Sequence, residues 1–154
     1  MAIALLLTGA CDGSDDTAPR PEGSPSVSAA EGPCALLTQA EVESVAGGTL
    51  ATAQPANAMG ERKARICVYR TTGPHGDVVV YLNVDGRKLF DQRFPKSDAS
   101  NERIDSLGDI AYLSGGTSLG VLQGDAYLAI GTQTPQPDSR ETLLALARKA
   151  LPRI

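Results

Sequence analysis

The sequence contains no tryptophan and only two phenylalanines, so aromatic side chains cannot supply most of a hydrophobic core. Valine, leucine, isoleucine and alanine must build it instead. With a single histidine and three widely separated cysteines, the chain has few metal ligands, and we expect no metal and no cofactor. Residues 34–154 carry 13 acidic and 13 basic side chains. This part therefore has no net positive charge to attract nucleic acid, and we expect no nucleic-acid partner.

An apolar run near the N-terminus stops at a cysteine. Residues 2–7 carry no polar side chain, the next three residues are small, and Cys11 is followed by an Asp-rich stretch. The run is shorter than the ~20 residues of a membrane span but fits the apolar part of a signal peptide. We expect residues 1–10 to be the end of a signal peptide whose start lies further upstream, and Cys11 to carry a lipid in the cell membrane. The alternative is a buried first strand of a soluble protein.

Three cysteines are an odd number for an exported protein. If Cys11 is lipidated, Cys34 and Cys67 remain to form a disulfide bond, which persists in an oxidising compartment. Such a bond would stabilise the fold by ~3–4 kcal/mol on the chain-entropy model. Two buried free thiols are the alternative.

The chain divides into a tether and one domain. Residues 11–33 comprise the lipidated cysteine and a segment dominated by Gly, Ser, Pro, Asp, Ala and Glu, in which Val27 is the one large apolar residue. A segment of this composition cannot bury enough apolar surface to order itself, and we expect it to be disordered. The acidic excess of the chain also falls before residue 34, with five acidic residues and one basic residue. Residues 34–154 are expected to form a single α+β domain.

Local patterns predict the elements of this domain. Thr38 and Glu41 form a capping box at the start of a helix that Gly47 ends. The spacing of apolar residues predicts the other elements. Strands are predicted at 49–54, 65–72, 77–84, 110–114, 118–123 and 126–132, and helices at 87–94 and from 138 or 139 onward. The order α-β(β)β-α-βββ-α predicts an α+β fold, a mostly antiparallel sheet with helices packed on one face.

Four motifs follow one another in the chain: Pro33-Cys34-Ala35-Leu36-Leu37-Thr38-x-x-Glu41-Val42, Cys67-x-Tyr69, Ser106-Leu107-Gly108-Asp109-x-Ala111-Tyr112, and Gly124-Asp125 before an apolar strand. Together they resemble actinobacterial lipoproteins that carry a domain of unknown function, over roughly residues 33–151. The chain differs from the family pattern at Ser106, where glycine is more frequent, and at Thr8, where an aliphatic residue is usual. The resemblance implies an envelope lipoprotein held to the membrane by its lipid, and it implies no enzyme activity.

No group of residues matches a catalytic motif, and we expect no enzyme. His75 lies in a Gly-Pro-His-Gly turn; a Ser-His-Asp set around it would lack a nucleophile elbow, and we expect an exposed turn histidine. Asp105, Asp109 and Asp125 lack the dense spacing of a calcium loop and are interpreted as turn and cap residues. The basic run at 62–65 has no aromatic neighbours and is interpreted as a solvated strand start.

All four tyrosines fall in predicted strands: Tyr69, Tyr81, Tyr112 and Tyr127. If the helices cover the aliphatic face of the sheet, the tyrosines would share the other face, which could receive a partner or an amphipathic ligand. The general preference of tyrosine for strands is the alternative explanation. We expect a non-catalytic binding module that recognises an envelope protein or a cell-wall component. The alternatives are a carrier or sensor of a small apolar ligand and, more remotely, a hydrolytic enzyme.

Overall fold

The computed structural model describes residues 32–57, 65–95 and 98–154. The predicted signal peptide, Cys11, nearly all of the tether and the start of the basic run lie outside these residues. Within them, the helices are α1 (Gln39–Ala46), α2 (Arg87–Arg93) and α3 (Ser139–Ala150), with 3-10 turns at Pro33–Ala35 and Leu151–Arg153. The strands are β1 (Leu50–Asn57), β2 (Arg65–Thr71), β3 (Val78–Asn83), β4 (Asn101–Ile104), β5 (Ile110–Ser114), β6 (Ser118–Gln123) and β7 (Ala126–Thr132). The α+β class and the predicted order of helices and strands are confirmed.

The strands form one seven-stranded sheet in the order β1-β2-β3-β7-β6-β5-β4, and every neighbouring pair is antiparallel. The last strand, β7, therefore lies between β3 and β6. β1 extends past residue 54, the predicted end of this strand, and includes Pro55; proline is tolerated there because β1 is an edge strand. β4 was not predicted, because three of its four residues are polar and only Ile104 is buried. No helix of the described residues is long and apolar enough to cross a bilayer.

One face of the sheet is covered by α1 and α3, and we call it the helical face. The predicted capping box at α1 is present: the Thr38 amide donates to Glu41 Oε2 over 2.8 Å, and the Glu41 amide donates to Thr38 Oγ1 over 3.3 Å. Aliphatic side chains from the strands and from α3 fill the space between the layers without exposed area, among them Val80, Leu119, Leu128, Ile130, Leu143 and Leu146. Burial of these side chains supplies most of the hydrophobic stabilisation of the fold.

α2 packs on the other face of the sheet, which we call the aromatic face. The sequence predicted that all helices lie on one face, and this holds for α1 and α3 but not for α2. Phe90 and Phe94 point from one side of α2 onto Tyr112, Leu122 and Tyr127. These residues alternate along their strands with the aliphatic residues of the helical face. The aromatic face also carries large side chains that must be removed from water, and the two phenylalanines of α2 supply the cover.

Candidate functional site

Three of the four tyrosines lie together, and the fourth does not. Tyr81, Tyr112 and Tyr127 are on the aromatic face. Tyr69 is opposite Val78 in the β2–β3 register and is buried on the helical face, so the predicted face of four tyrosines is wrong for this residue. The burial of Tyr69 on the helical face could have been predicted from the sequence. Residues two apart on a strand share a face, so a disulfide from Cys67 to the segment before α1 also turns Tyr69 towards that segment.

The hydroxyl of Tyr69 is part of the junction between β2 and the segment before α1. Its one hydrogen is shared between the carbonyl oxygens of Leu37, 3.0 Å from the hydroxyl oxygen, and Cys34, 3.2 Å from it. Burial raises the pKa of Tyr69 to about 12, because the phenolate would be poorly solvated there. The Cys34–Cys67 disulfide lies beside it, as predicted, with a Cα–Cα distance of 5.0 Å. The hydroxyl thus satisfies buried carbonyl groups, and this tyrosine is a structural residue rather than part of an open face.

A partly buried ion pair closes the same junction from the C-terminal side. Arg153 Nη1 donates to the Leu36 carbonyl and to Glu41 Oε2, each at 2.7 Å, and Arg153 Nη2 donates to Glu41 Oε1 at 2.8 Å. These hydrogen bonds hold the pKa of Glu41 down at about 2. The guanidinium therefore joins the last turn of the chain to the capping box of α1.

α2 covers two of the three tyrosines on the aromatic face. Tyr127 is 1% exposed and Tyr112 is 8% exposed. The ring of Phe90 meets Tyr127 edge-on with centroids 5.6 Å apart, and Phe94 stacks on Tyr112 at 6.2 Å. Phe94 lies directly on Gly120, where a Cβ atom would overlap the phenylalanine ring. Tyr112 and Tyr127 form an aromatic cluster under α2 instead of an open surface.

Beyond α2, the aromatic face continues over β2 and β3 as a partly exposed apolar strip. We call it the β2–β3 strip and define it as Ile66, Val68, Val79 and Tyr81, all of which are partly buried. Val68 is paired with Val79, and Ile66 with Tyr81, so the four side chains are adjacent on one face.

The β2–β3 strip borders the aromatic cluster on one side and the edge strand β1 on the other. The ring of Tyr81 is 5.4 Å from that of Tyr127, and the Arg93 guanidinium lies over it at 6.0 Å. Gly131 lies beside Val79 in the next strand; a Cβ atom there would meet only the Thr117 carbonyl, at 3.5 Å. The surface is therefore shallow and apolar, with a cation at its margin.

His75 is 2% exposed, so the predicted exposed turn histidine is wrong. Its turn packs closely on the end of α1, where a Cβ atom on Gly48 would overlap the backbone of Gly73. The ring reaches the start of α3, with Nδ1 3.4 Å from Ser139 Oγ and Nε2 3.4 Å from Asp138 Oδ1. A Ser-His-Asp set therefore exists in this fold. Its serine is 2% exposed, and the serine oxygen already accepts the Gln136 amide at 2.8 Å, which is unlike an accessible nucleophile.

The aspartates interpreted as turn and cap residues make local contacts. Asp109 Oδ2 accepts the Gly124 amide at 2.7 Å. Asp125 is paired with Arg87, and Asp105 with Arg103. In the described part of the chain, no three metal-ligating side chains converge on one point. These carboxylates hold loops at the ends of β4 to β7.

The structure thus separates the predicted site residues into three groups. Cys34 and Cys67 are bonded with Tyr69 beside them, Tyr112 and Tyr127 are covered by α2, and Tyr81 belongs to the β2–β3 strip. Cys11 lies outside the described residues. Comparison with protein-family models, with curated proteins and with solved structures found no match for this chain.

Proposed function

We propose that this chain is a cell-envelope lipoprotein, anchored in the membrane through a lipid on Cys11, whose domain binds a partner rather than catalysing a reaction. The disulfide between Cys34 and Cys67 supports the location, because such bonds persist outside the reducing cytosol. The apolar run before Cys11 and the resemblance to actinobacterial lipoproteins support the anchor.

The β2–β3 strip is the observation that carries the binding role. Its four apolar side chains remain partly exposed, whereas the helical face behind them is closed by α1 and α3. Adjacent apolar side chains at a surface are typical of sites that bind another molecule. We infer that an envelope protein or a cell-wall component binds there, in contact with the four apolar side chains and with Arg93 at the margin.

The alternative functions have less support. A carrier of a small apolar ligand needs space between the sheet and the helices, and aliphatic side chains fill that space. A serine hydrolase built on His75 needs a serine that a substrate can reach, and Ser139 is buried and already accepts the Gln136 amide. A partner bound at the surface fits the described residues better than either.

Mass spectrometry of the chain purified from its native envelope tests the anchor. We expect the N-terminal peptide to begin at Cys11 and to carry fatty acids. The Cys11→Ser variant should appear in the soluble extracytoplasmic fraction. Recovery of the wild-type chain from the cytoplasm, with Met1 present and alkylatable thiols, would contradict the proposal.

Co-purification from cross-linked envelopes tests the binding surface. The double variant Val68→Ser, Val79→Ser should retain its partner about tenfold less than the wild type, which corresponds to about 1.4 kcal/mol. Val84→Ser is the matched control, because Val84 is also apolar and exposed but lies outside the strip. Thermal unfolding shows whether each variant is folded. If the folded double variant retains the partner as well as the control does, the strip is not the binding surface.

A further inference from the structure

The ring of His75 faces three side-chain oxygens at the start of α3. Nδ1 lies 3.4 Å from Ser139 Oγ, and Nε2 lies 3.2 Å from Thr142 Oγ1 and 3.4 Å from Asp138 Oδ1. Among the described residues that contact the ring through side-chain oxygens, the Asp138 carboxylate is the charged group, with Oδ1 3.4 Å from Nε2; the other two groups are neutral hydroxyls. The three oxygens come from one element, whereas the ring comes from the turn before β3.

The carboxylate decides which nitrogen carries hydrogen in the neutral ring. A carboxylate accepts hydrogen bonds and cannot donate one, so Asp138 favours the tautomer with hydrogen on Nε2. Nδ1 is then an acceptor, and the hydroxyl of Ser139 can donate to it. Asp138 is the N-cap residue of α3, yet its side chain makes no capping hydrogen bond, which agrees with its being engaged by the ring.

We propose that His75, Asp138, Ser139 and Gln136 form a proton-dependent latch between the turn and α3. When the ring gains a second proton, Nδ1 becomes a donor and its hydrogen bond with Ser139 reverses. Ser139 Oγ must then accept from Nδ1 while it also accepts the Gln136 amide at 2.8 Å. The two lone pairs of the oxygen allow both bonds, but the hydroxyl hydrogen loses Nδ1 as its acceptor in a buried position, and the Gln136 amide must share the oxygen with a charged donor. Protonation therefore weakens the bond from Gln136.

The effect of protonation extends beyond the ring, because the segment between β7 and α3 makes further contacts with the turn. The Thr134 amide donates to the His75 carbonyl at 2.9 Å, and Gln136 Nε2 donates to the Pro74 carbonyl at 3.0 Å. Weakening at Gln136 therefore loosens the connection between β7 and α3. Uptake of a proton by the ring is therefore felt beyond the ring itself. The latch does not depend on the proposed function.

Nuclear magnetic resonance tests the latch directly, because His75 is the only histidine in the chain. At high pH, the ¹⁵N shifts of the ring should show hydrogen on Nε2 and an unprotonated Nδ1. As the pH falls, the amide proton shift of Gln136 should move with the same midpoint as the ring. Its protection from hydrogen exchange, corrected for the intrinsic rate, should fall about fivefold, the factor for losing one ordinary hydrogen bond.

Variants separate the latch from a general effect of acid. Ser139→Ala should leave the ring titrating while the Gln136 amide no longer follows it. Asp138→Ala should give a mixture of the two neutral tautomers at high pH, one with hydrogen on Nδ1 and one with hydrogen on Nε2. Asp91→Asn, an exposed change on α2 across the sheet, should leave both readouts as in the wild type.

Two results would overturn the proposal. One is hydrogen on Nδ1 at high pH in the wild type, and the other is a Gln136 amide that stays constant while the ring titrates. If Ser139→Ala does not fold, the wild-type titration and the tautomer in Asp138→Ala still decide the question.

Discussion

Arg153 and Tyr69 reach the same short segment before α1 from opposite sides. Arg153 binds the Leu36 carbonyl and Glu41, and the Tyr69 hydroxyl binds the carbonyls of Leu37 and Cys34. Segments without regular structure need such partners for their buried carbonyl groups. Glu41, the partner of Arg153, and Tyr69 can each be changed without creating a large cavity, so the contribution of each contact to stability can be measured.

Glu41→Gln should lower the free energy of unfolding by about 1–2 kcal/mol at pH 7, because a charged hydrogen-bonded pair becomes a neutral one. The pKa of Glu41 is about 2 in the folded protein, against 4.5 ordinarily. Its stabilising effect is therefore present above about pH 4.5 and is lost as the pH falls towards 2. Urea unfolding at several pH values should show the gap between variant and wild type closing in acid. Glu102→Gln, in a more exposed pair with Arg140, is the control and should cost under about 0.5 kcal/mol.

Tyr69→Phe should cost about 1 kcal/mol at neutral pH, because the carbonyls of Cys34 and Leu37 lose their donor. The raised pKa of about 12 means that the folded state keeps this phenol neutral. The stability from the neutral form is present below about pH 10 and is lost as the pH rises towards 12. Absorbance titration of the wild type minus the variant measures this ionisation. A difference signal with a midpoint near pH 10 in the folded protein would contradict the structure.

Sequence reasoning found the residues whose partners are close in the chain or are fixed by chemistry. The capping box spans Thr38 to Glu41, and Cys34 could pair only with Cys67 once Cys11 was assigned to the lipid. The burial of His75 was missed because its partner Ser139 is 64 residues away, at the start of another element. A turn motif predicts backbone shape but contains no information on what packs against it.

At the level of elements, α2 depends on its two phenylalanines more than on its own ends. It has seven residues, and its N-cap, Gly86, provides no capping side chain. A helix of this length is marginal without tertiary contacts. Phe90 and Phe94 provide them on the aromatic face, where Gly120 leaves room for the second ring.

Gly120→Ala should therefore displace Phe94 and destabilise the protein by about 1–3 kcal/mol, because the new methyl group overlaps the ring. Gly131→Ala is the matched control on the same face and should change stability far less, since its Cβ has room. Denaturant unfolding and the near-ultraviolet circular dichroism of the tyrosines measure both variants. Equal losses would show that glycine is needed at both positions for another reason.

Element type could be predicted, but the side of the sheet could not. The spacing of Phe90 and Phe94 indicated one apolar side for α2 and said nothing about which face it covers. That choice depends on the match between this pair and the tyrosines of distant strands. β4 was missed because an edge strand with polar residues lacks the alternation by which strands are recognised.

For the whole molecule, the disulfide is a covalent cross-link between the segment before α1 and β2. Its cysteines are 33 residues apart. The double variant Cys34→Ser, Cys67→Ser should lose about 3–4 kcal/mol by the loop-closure estimate. Chemical unfolding with and without reductant measures this. A wild type whose midpoint is unaffected by full reduction would show that noncovalent contacts suffice at this junction.

The position of β7 has a consequence for how the chain reaches its folded state. β7 is the last strand made, yet it joins β3 to β6 and thus connects the two halves of the sheet. Until residue 132 is available, β3 and β6 each present an unpaired edge, and open edges promote aggregation. The sheet therefore cannot be completed stepwise from the N-terminus in a nascent or truncated chain that lacks β7. Productive folding must wait for nearly the whole polypeptide.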